Sequence, residues 1–318
     1  MVNILNLLEK AFSYGEGRVK TAHWPSEATA CPRQIVYSWM ETPKSNPIDG
    51  SGWWSIKLGG SIHELCQSTL EAIERDPEML AALGWPGYKV RSEVRSEDVY
   101  VEGLRKPFRF RMDITIVDDD GILATGEFKT MYGRGASDIK ENGPKDAALA
   151  QVMIYQKLSR MLKDKLFPDL PQDEISRAYI LYVSRDNGDR AAFVLDHVYA
   201  EEGAELGWIL YRMFEDKSLK VLKKFPASLW DTFLNKIRFI EECVERGQLP
   251  DRPYLMAIKK GELRDDFQKD GVKYKSDWQC RYCGFKDKCW APEVEKYKDS
   301  DNSAMFNKGA EDRELEAF

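Results

Sequence analysis

Two carboxylates and one lysine near the middle of the chain have types and spacing that could support metal chemistry. Glu127 and Lys129 are two positions apart, so in a β-strand their side chains share one face. Asp113 lies in the preceding segment and can reach that face if the two segments pair. Two carboxylates at close range repel unless a cation lies between them, and Mg²⁺ commonly binds one or two carboxylates with waters and phosphate oxygens. These residues suggest a divalent-cation site acting on a phosphate, with Lys129 holding the phosphate or helping to activate water.

A β-hairpin over 109–130 is the element that must position these side chains. Apolar and polar residues alternate from Arg109 to Ile116 with the period of two that is typical of a half-buried strand. Residues 118–121, with the sequence DDDG, supply a turn. The alternative is an ordinary hairpin whose charged face lies in solvent, because charged residues are usually exposed.

Two predicted helices carry further polar candidates. His63 lies in a helix predicted over 53–75, as either a ligand or a structural histidine. Gln151 and Tyr155 are one turn apart on a helix predicted over 144–166, and therefore share a face. Their alternative role is a polar and aromatic pair at the rim of the core.

The other segments give weaker patterns. Residues 131–143 are predicted to form a loop, and residues 253–277 are polar without clear periodicity. Residues 199–217 and 228–247 are predicted to form amphipathic helices.

Four of the six cysteines form a candidate metal site. Cys280, Cys283 and Cys289 have the spacing C-x2-C-x5-C, and Cys31 could supply a fourth thiolate. The N-terminal residues do not resemble a secretory signal, so we expect a reducing cytoplasm, where such a cluster indicates metal rather than disulfides. Four thiolates suit a [4Fe-4S] cluster or tetrahedral zinc. Alternatively, Cys31 is a packed cysteine and the triplet binds zinc with another ligand.

Composition limits the class of protein. The 318 residues are 43% hydrophobic and 31% charged, which is typical of a soluble globular chain. No run of 18 apolar residues is present, so no membrane-spanning helix is expected. Residues 291–318 contain eight acidic and four basic residues and so carry −4 of the net charge of −6. This acidic tail is predicted to be disordered, and the rest of the chain is nearly neutral.

Taken in order, these motifs resemble one family of nucleases. The resemblance is to the RecB/AddB type of PD-(D/E)XK nucleases that carry a [4Fe-4S] cluster, which includes CRISPR-associated RecB-like exonucleases and related phage exonucleases. It covers the chain from Cys31 to Cys289 and rests on this ordered set: Cys31, His63, Asp113, Glu127-x-Lys129, Gln151-x3-Tyr155 and Cys280-x2-Cys283-x5-Cys289. Met112 stands where the family signature has proline.

The resemblance implies a role for each residue. Asp113, Glu127, His63 and the backbone carbonyl of Phe128 would bind Mg²⁺ or Mn²⁺. Lys129 would position the attacking water or stabilise charge on the phosphorane. Two further sets are implied: Gln151 and Tyr155 as the QxxxY motif that fixes the metal site and the DNA, and Cys31, Cys280, Cys283 and Cys289 as ligands of a structural [4Fe-4S] cluster.

The implied fold is a restriction-endonuclease-like α/β core, with a mixed central sheet flanked by helices and a helical iron–sulfur subdomain joining the N- and C-terminal segments. We predict one nuclease domain over 1–290, with its core at about 53–200 and its iron–sulfur subdomain at about 25–45 and 200–290. The implied function is Mg²⁺- or Mn²⁺-dependent DNA cleavage, exonucleolytic rather than endonucleolytic, in recombination or repair, with a helicase or annealing protein as a possible partner. The alternatives are a non-catalytic DNA-binding scaffold of the same fold and a zinc-stabilised interaction module.

Overall fold

The computed structural model of the chain describes residues 19–46, 48, 50–84, 88–118, 120–133, 135–159, 162, 164, 168, 175–269, 272–298 and 304–306. The chain divides into two compact units. We name residues 22–29 and 55–235 the sheet unit, and residues 1–21, 30–54 and 236–318 the cysteine unit. Each is described by itself.

A seven-stranded mixed sheet forms the centre of the sheet unit. Its strands lie side by side in chain order, β1 to β7. The β3–β4 pair is parallel and every other neighbouring pair is antiparallel. The strands are β1 Lys89–Arg95, β2 Arg111–Val117, β3 Leu123–Met131, β4 Arg177–Ser184, β5 Arg190–Tyr199, β6 Glu205–Met213 and β7 Leu219–Pro226.

The described helices confirm a mixed α/β chain. In chain order they are α1 Pro32–Trp39, α2 Gly50–Glu74, α3 Pro77–Leu83, α4 Gly135–Asn142, α5 Asp146–Leu158, α6 Leu229–Glu245, α7 Trp278–Arg281 and α8 Lys286–Lys296. Helices α2, α5 and α6 match predicted helices. Within the described ranges, no helix has the length and apolar character needed to cross a bilayer.

The predicted hairpin is confirmed as β2 and β3. Ile114 pairs with Gly126 and Val117 with Leu123. The Asp118 backbone closes the turn through its N–H to Ile122 O and its carbonyl to Gly121 N–H, and Gly121 has φ +74°. This register puts Asp113 opposite Glu127 at the end of the ladder, so both carboxylates point to the same side of the sheet.

Gly126 allows the two strands of the hairpin to pack closely on the other side of the sheet. A Cβ at Gly126 would lie only 2.5 Å from Ile114 Cδ1. Ile114 is itself 4% exposed and packs with Val90 and Phe128, so it has little room to move. We expect Gly126→Ala to lower the free energy of unfolding by about 1–3 kcal/mol, measured by thermal unfolding.

Gly60→Ala is the matched control for that substitution. Gly60 lies within α2, and nothing lies within 4 Å of a Cβ built there. Alanine at this position should stabilise the helix by about 0.5–1 kcal/mol. An equal loss of stability in both variants would contradict the packing argument.

Two segments differ from the sequence prediction. The predicted loop 131–143 contains α4, which buries Ile139 and ends at Gly143 with φ +94°. The predicted helix 199–217 is wrong, because these residues contain β6. Gly207 in β6 has φ +120° and lies against the Phe225 carbonyl, a conformation that a helix does not allow. The sheet therefore continues to Pro226, beyond the predicted core boundary near residue 200.

The cysteine unit contains small sheets as well as helices, so the prediction of a helical subdomain is incomplete. Residues 253–277, which lacked clear periodicity, contain four short strands. They are β8 Met256–Lys259, β9 Glu262–Arg264, β10 Asp266–Lys269 and β11 Val272–Lys275. A final strand, β12 Ala304–Phe306, pairs with β8, and one cluster buries Met256, Ile258 and Trp290.

Part of the predicted disordered tail is ordered. Residues 291–296 complete α8, where Trp290 anchors the helix to the core, and residues 304–306 form β12. The rest of the acidic tail lies outside the described residues, apart from 297–298.

Candidate functional site

Asp113 and Glu127 are buried, unlike the charged face of an ordinary surface hairpin. Asp113 is 7% exposed and Glu127 is 2% exposed. Asp113 Oδ2 accepts a hydrogen bond of 2.7 Å from the backbone N–H of Phe128, so the aspartate replaces a ladder bond where β2 and β3 end their pairing. Because both carboxylates are buried, this face of the hairpin is not the solvent-exposed charged surface of the alternative interpretation.

The Glu127 carboxylate is held at an energetic cost. Its burial raises the pKa to about 7, although Lys129 lowers it, and the charge of Asp113 raises it further. Within the described part of the chain, Glu127 Oε2 has no hydrogen-bond partner. A buried carboxylate oxygen that accepts no hydrogen bond is available as a ligand for a cation.

Lys129 is fixed by a chain of hydrogen bonds from α5. Its Nζ lies 2.5 Å from Glu127 Oε1 and donates to Gln151 Oε1 at 3.1 Å. Gln151 Nε2 in turn donates to Tyr155 Oη at 2.6 Å, and Tyr155 donates to the Arg111 carbonyl at 2.8 Å. The predicted lysine, glutamine and tyrosine therefore converge on Glu127 through one network.

Removing the tyrosine hydroxyl tests this network. Tyr155 is 1% exposed, and Tyr155→Phe would leave both the Arg111 carbonyl and the Gln151 amide without this partner. We expect the free energy of unfolding to fall by about 1–3 kcal/mol. Tyr132→Phe is the control, since Tyr132 is 70% exposed and its substitution should leave the melting temperature unchanged.

Helix α2 brings His63 to the carboxylates. His63 Nδ1 lies 3.5 Å from Asp113 Oδ2, and its ring packs edge-on against Phe128 with centroids 6.1 Å apart. The side chain of Phe128 is buried, and its N–H is used by Asp113. The predicted role of the Phe128 carbonyl as a metal ligand stays a prediction.

Gln67 was missed from the sequence. Its Nε2 donates to the Asp113 carbonyl at 2.8 Å and to Glu93 Oε1 at 3.1 Å. Glu93 also pairs with Arg111 at 3.0 Å. Gln67 lies one turn after His63, so the two side chains share a helix face. This spacing was the sequence signal that could have identified Gln67 as part of the site.

The donor set fits a hard divalent cation. Two carboxylates and one imidazole meet at the end of the hairpin, and among the described residues Glu127 Oε2 has no donor. In the part of the chain that the structure describes, no group of three or more His, Cys, Asp or Glu side chains has metal-binding geometry in this arrangement. The side chains would therefore adjust when a cation binds.

The four predicted cysteines meet at one cavity in the cysteine unit. Cys31 precedes α1, Cys280 lies in α7, Cys283 follows α7 and Cys289 lies in α8. All four line a cavity of about 390 Å³ including its open mouth, together with the aromatic side chains of Tyr37, Phe285 and Trp290. None of them forms a disulfide.

The electrostatics of the cavity disfavour free thiolates. Burial raises the pKa of the Cys280 thiol to about 12 and also raises the pKa values of Cys31 and Cys283. Thiols in such a site lose their protons when they bind a metal, which supplies the missing positive charge. Four thiol groups suit a [4Fe-4S] cluster or zinc by donor type, but in their described positions these cysteines do not form a metal-binding group.

Backbone contacts fix the positions of the cysteines. Arg252 Nη2 donates to the Cys289 carbonyl at 2.5 Å while its guanidinium lies 4.4 Å from the Trp290 ring centroid. Asn46 Nδ2 donates to the Cys283 carbonyl at 3.1 Å. Lys236 Nζ donates to the Ala30 carbonyl at 3.0 Å, beside Cys31. The cysteine backbones are therefore anchored from several parts of this unit.

Comparisons with known proteins give little beyond this geometry. No family model and no curated protein matches the chain. Nine chains of solved structures match. One, described as the crystal structure of SSO0001, is 16% identical with a TM-score of 0.45, and the match covers 91% of this chain and 96% of that one. A likeness of this degree carries no argument about activity.

Proposed function

We propose that the chain is a divalent-metal-dependent deoxyribonuclease with a PD-(D/E)XK-like core and a cluster-binding cysteine unit. The observation that carries the proposal is the buried pair of Asp113 and Glu127 beside Lys129, where no described residue donates to Glu127 Oε2. A buried acidic pair that only stabilised the fold would be better replaced by apolar residues. Its presence beside a positioned lysine supports chemistry on a phosphate.

Each residue has a defined task in this proposal. Asp113, Glu127 and His63 would hold Mg²⁺ or Mn²⁺, which when bound would supply Lewis-acid activation of water and phosphate. Lys129 donates toward the oxygen that gains negative charge as the phosphodiester is attacked. Gln151 holds the Lys129 ammonium in place, and Tyr155 holds Gln151, so these two act as positioning residues.

The four cysteines would bind a [4Fe-4S] cluster with a structural role. Iron–sulfur clusters use four cysteine thiolates, and the cavity supplies four sulfur atoms from separated parts of the sequence. The proposed biological setting is processing of DNA ends during recombination or repair, in which a helicase or annealing protein could deliver the substrate.

The test is cleavage of end-labelled linear DNA, single- and double-stranded, beside a closed circle. Wild-type protein should degrade linear DNA with Mg²⁺ or Mn²⁺ and not with EDTA, and Lys129→Ala should lose this activity by about 10²-fold or more. Cleavage of linear but not circular DNA would identify an exonuclease. No cleavage by protein that retains its cluster would favour the DNA-binding scaffold instead.

A further inference from the structure

An exposed tyrosine stacked with an arginine lies beyond the lysine end of β3, in the sheet unit. Tyr132 follows β3 directly and is 70% exposed. The guanidinium carbon of Arg185 lies 5.7 Å from the centroid of the Tyr132 ring. Neither side chain belongs to the network around Glu127.

The backbone around this pair is fixed. Arg185 N–H donates to the Met131 carbonyl at 2.9 Å, and Gly133 N–H donates to Asp186 Oδ2 at 2.6 Å. Gly135 N–H donates to the Tyr132 carbonyl at 3.2 Å. An exposed aromatic ring on so constrained a backbone loses little further entropy when a ligand stacks on it.

The charge of Arg185 is available to an anion. Its Nη1 donates to the Ser55 carbonyl at 3.3 Å, and no described carboxylate lies within ion-pair distance of it. The nearby acids are engaged elsewhere, since Asp186 accepts from the Gly133 amide and Asp189 pairs with Lys140 at 2.8 Å. Among the described residues Nη1 of Arg185 has this one partner and the buried Nε has none. A guanidinium beside an aromatic face suits a phosphate next to a base.

Helix α2 connects this pair to the candidate metal site. Ser55, Gly59 and His63 are spaced four apart and so lie on one face of the helix. Ser55 meets Arg185, a Cβ on Gly59 would lie 3.4 Å from Thr130 Oγ1, and His63 meets Asp113. Eight residues of helix separate Ser55 from His63, a rise of about 12 Å.

We infer that Tyr132 and Arg185 form a subsite for one nucleotide of the substrate strand, roughly three to four nucleotides from the scissile phosphate at about 3.4 Å per nucleotide. The base stacks on the exposed face of Tyr132, and its phosphate accepts from Arg185. The inference names a part of the substrate site, and its placement relative to the scissile bond rests on the proposed nuclease function. Stacking tolerates any base, so this subsite adds affinity and position without sequence preference.

The test is binding of a fluorescent single-stranded oligonucleotide, measured by anisotropy with Ca²⁺ in place of Mg²⁺. Tyr132→Ala should weaken binding about tenfold, whereas Tyr132→Phe should bind like the wild type. Tyr100→Ala is the matched control, because Tyr100 is 69% exposed in the same unit and lies outside the pair. Arg185→Gln should reduce the salt dependence of binding by roughly one phosphate contact.

An abasic site placed at successive positions of the oligonucleotide locates the stacked base. At one position it should weaken wild-type binding as much as Tyr132→Ala does, and it should have no further effect in that variant, because both changes remove the same contact. Wild-type binding by Tyr132→Ala, equal losses in Tyr100→Ala, or no DNA binding at all would overturn the inference. Binding that depends on Tyr132 without any cleavage would refute the nuclease and keep the subsite. If the protein cleaves DNA, and Tyr132→Ala binds and cleaves DNA like the wild type, the subsite is refuted and the nuclease is kept.

Discussion

Glu127→Gln is expected to abolish DNA cleavage and at the same time raise the melting temperature of the metal-free protein. The glutamine keeps the size of the side chain and an oxygen that can accept from Lys129, but it cannot supply a charged metal ligand. Loss of activity should be on the order of a thousandfold. An enzyme that becomes more stable as it loses activity is the signature of a site whose buried charge serves function.

The sign of the stability change follows from proton binding. Burial raises the pKa of Glu127 from 4.5 to about 7, so between these values the folded protein holds a proton that the unfolded chain releases. Wild-type stability therefore falls as the pH rises through this window. The gain from Glu127→Gln should be on the order of 3 kcal/mol above the window and should vanish below it, as measured by thermal unfolding at both pH values.

Glu205→Gln is the control of opposite sign. Burial opposes ionisation of Glu205, but hydrogen bonds from Lys157 and His197 outweigh it and lower the pKa of this carboxyl. Its carboxylate therefore stabilises the fold, and Glu205→Gln should lower the melting temperature without changing cleavage. Equal signs for the two variants would contradict the electrostatic argument.

Metal binding gives a readout that does not depend on cleavage. Excess Mg²⁺ or Mn²⁺ should raise the melting temperature of the wild type. At a free metal concentration a hundred times the dissociation constant, the free energy of unfolding should increase by about 2.7 kcal/mol. The same ions should have little effect on Glu127→Gln. A variant that still cleaves DNA at the wild-type rate would remove Glu127 from the proposed site.

The parts of this site that were predictable share a local signal. The alternation in β2, the turn at Asp118 and the spacing of Glu127 and Lys129 all depend on neighbours in sequence, so the hairpin could be predicted. Gln151 and Tyr155 were recognisable as one helix face for the same reason. The alternation of polar and apolar residues could not predict that Asp113 and Glu127 are buried. It predicts a strand with one exposed polar face, and the sequence does not show that a helix covers that face.

Tertiary contacts decided the parts that were not predictable. Gln67 donates to the Asp113 backbone carbonyl from a helix 46 residues away in the sequence, and its place one turn after His63 suggests a shared helix face but does not identify that partner. The segment 199–217 is apolar enough for either a helix or a strand, and its pairing with β5 and β7 decides the outcome. Such choices depend on partners remote in the chain.

If the proposed [4Fe-4S] cluster is bound, Cys280→Ser is expected to abolish its binding and to remove much of the stability of the cysteine unit. Cys280 shares the cavity with three other cysteines, so one substitution leaves an incomplete ligand set. Burial raises the pKa values of Cys31 and Cys283, so these two thiols are held protonated when no metal is bound. Two apolar clusters among the described residues of this unit are small, one formed by Ile35, Val36, Ile240 and Cys243 and another by Met256, Ile258 and Trp290. A bound metal centre can contribute on the order of 10 kcal/mol to the folding free energy of such a unit. This is more than either of the two apolar clusters would contribute.

Iron content, visible absorbance and thermal unfolding of anaerobically purified protein measure this prediction together. Wild type should contain iron and absorb in the visible range, and Cys280→Ser should lose both and unfold at a lower temperature. Cys243→Ala is the control, because Cys243 is buried among apolar side chains outside the cavity and its loss should leave the iron unchanged. Zinc in place of iron would keep the four-thiolate site and reject the cluster, whereas iron retained by Cys280→Ser would reject Cys280 as a ligand. The cysteine unit and the carboxylate site are thus tested by separate measurements, and either proposal can fail while the other stands.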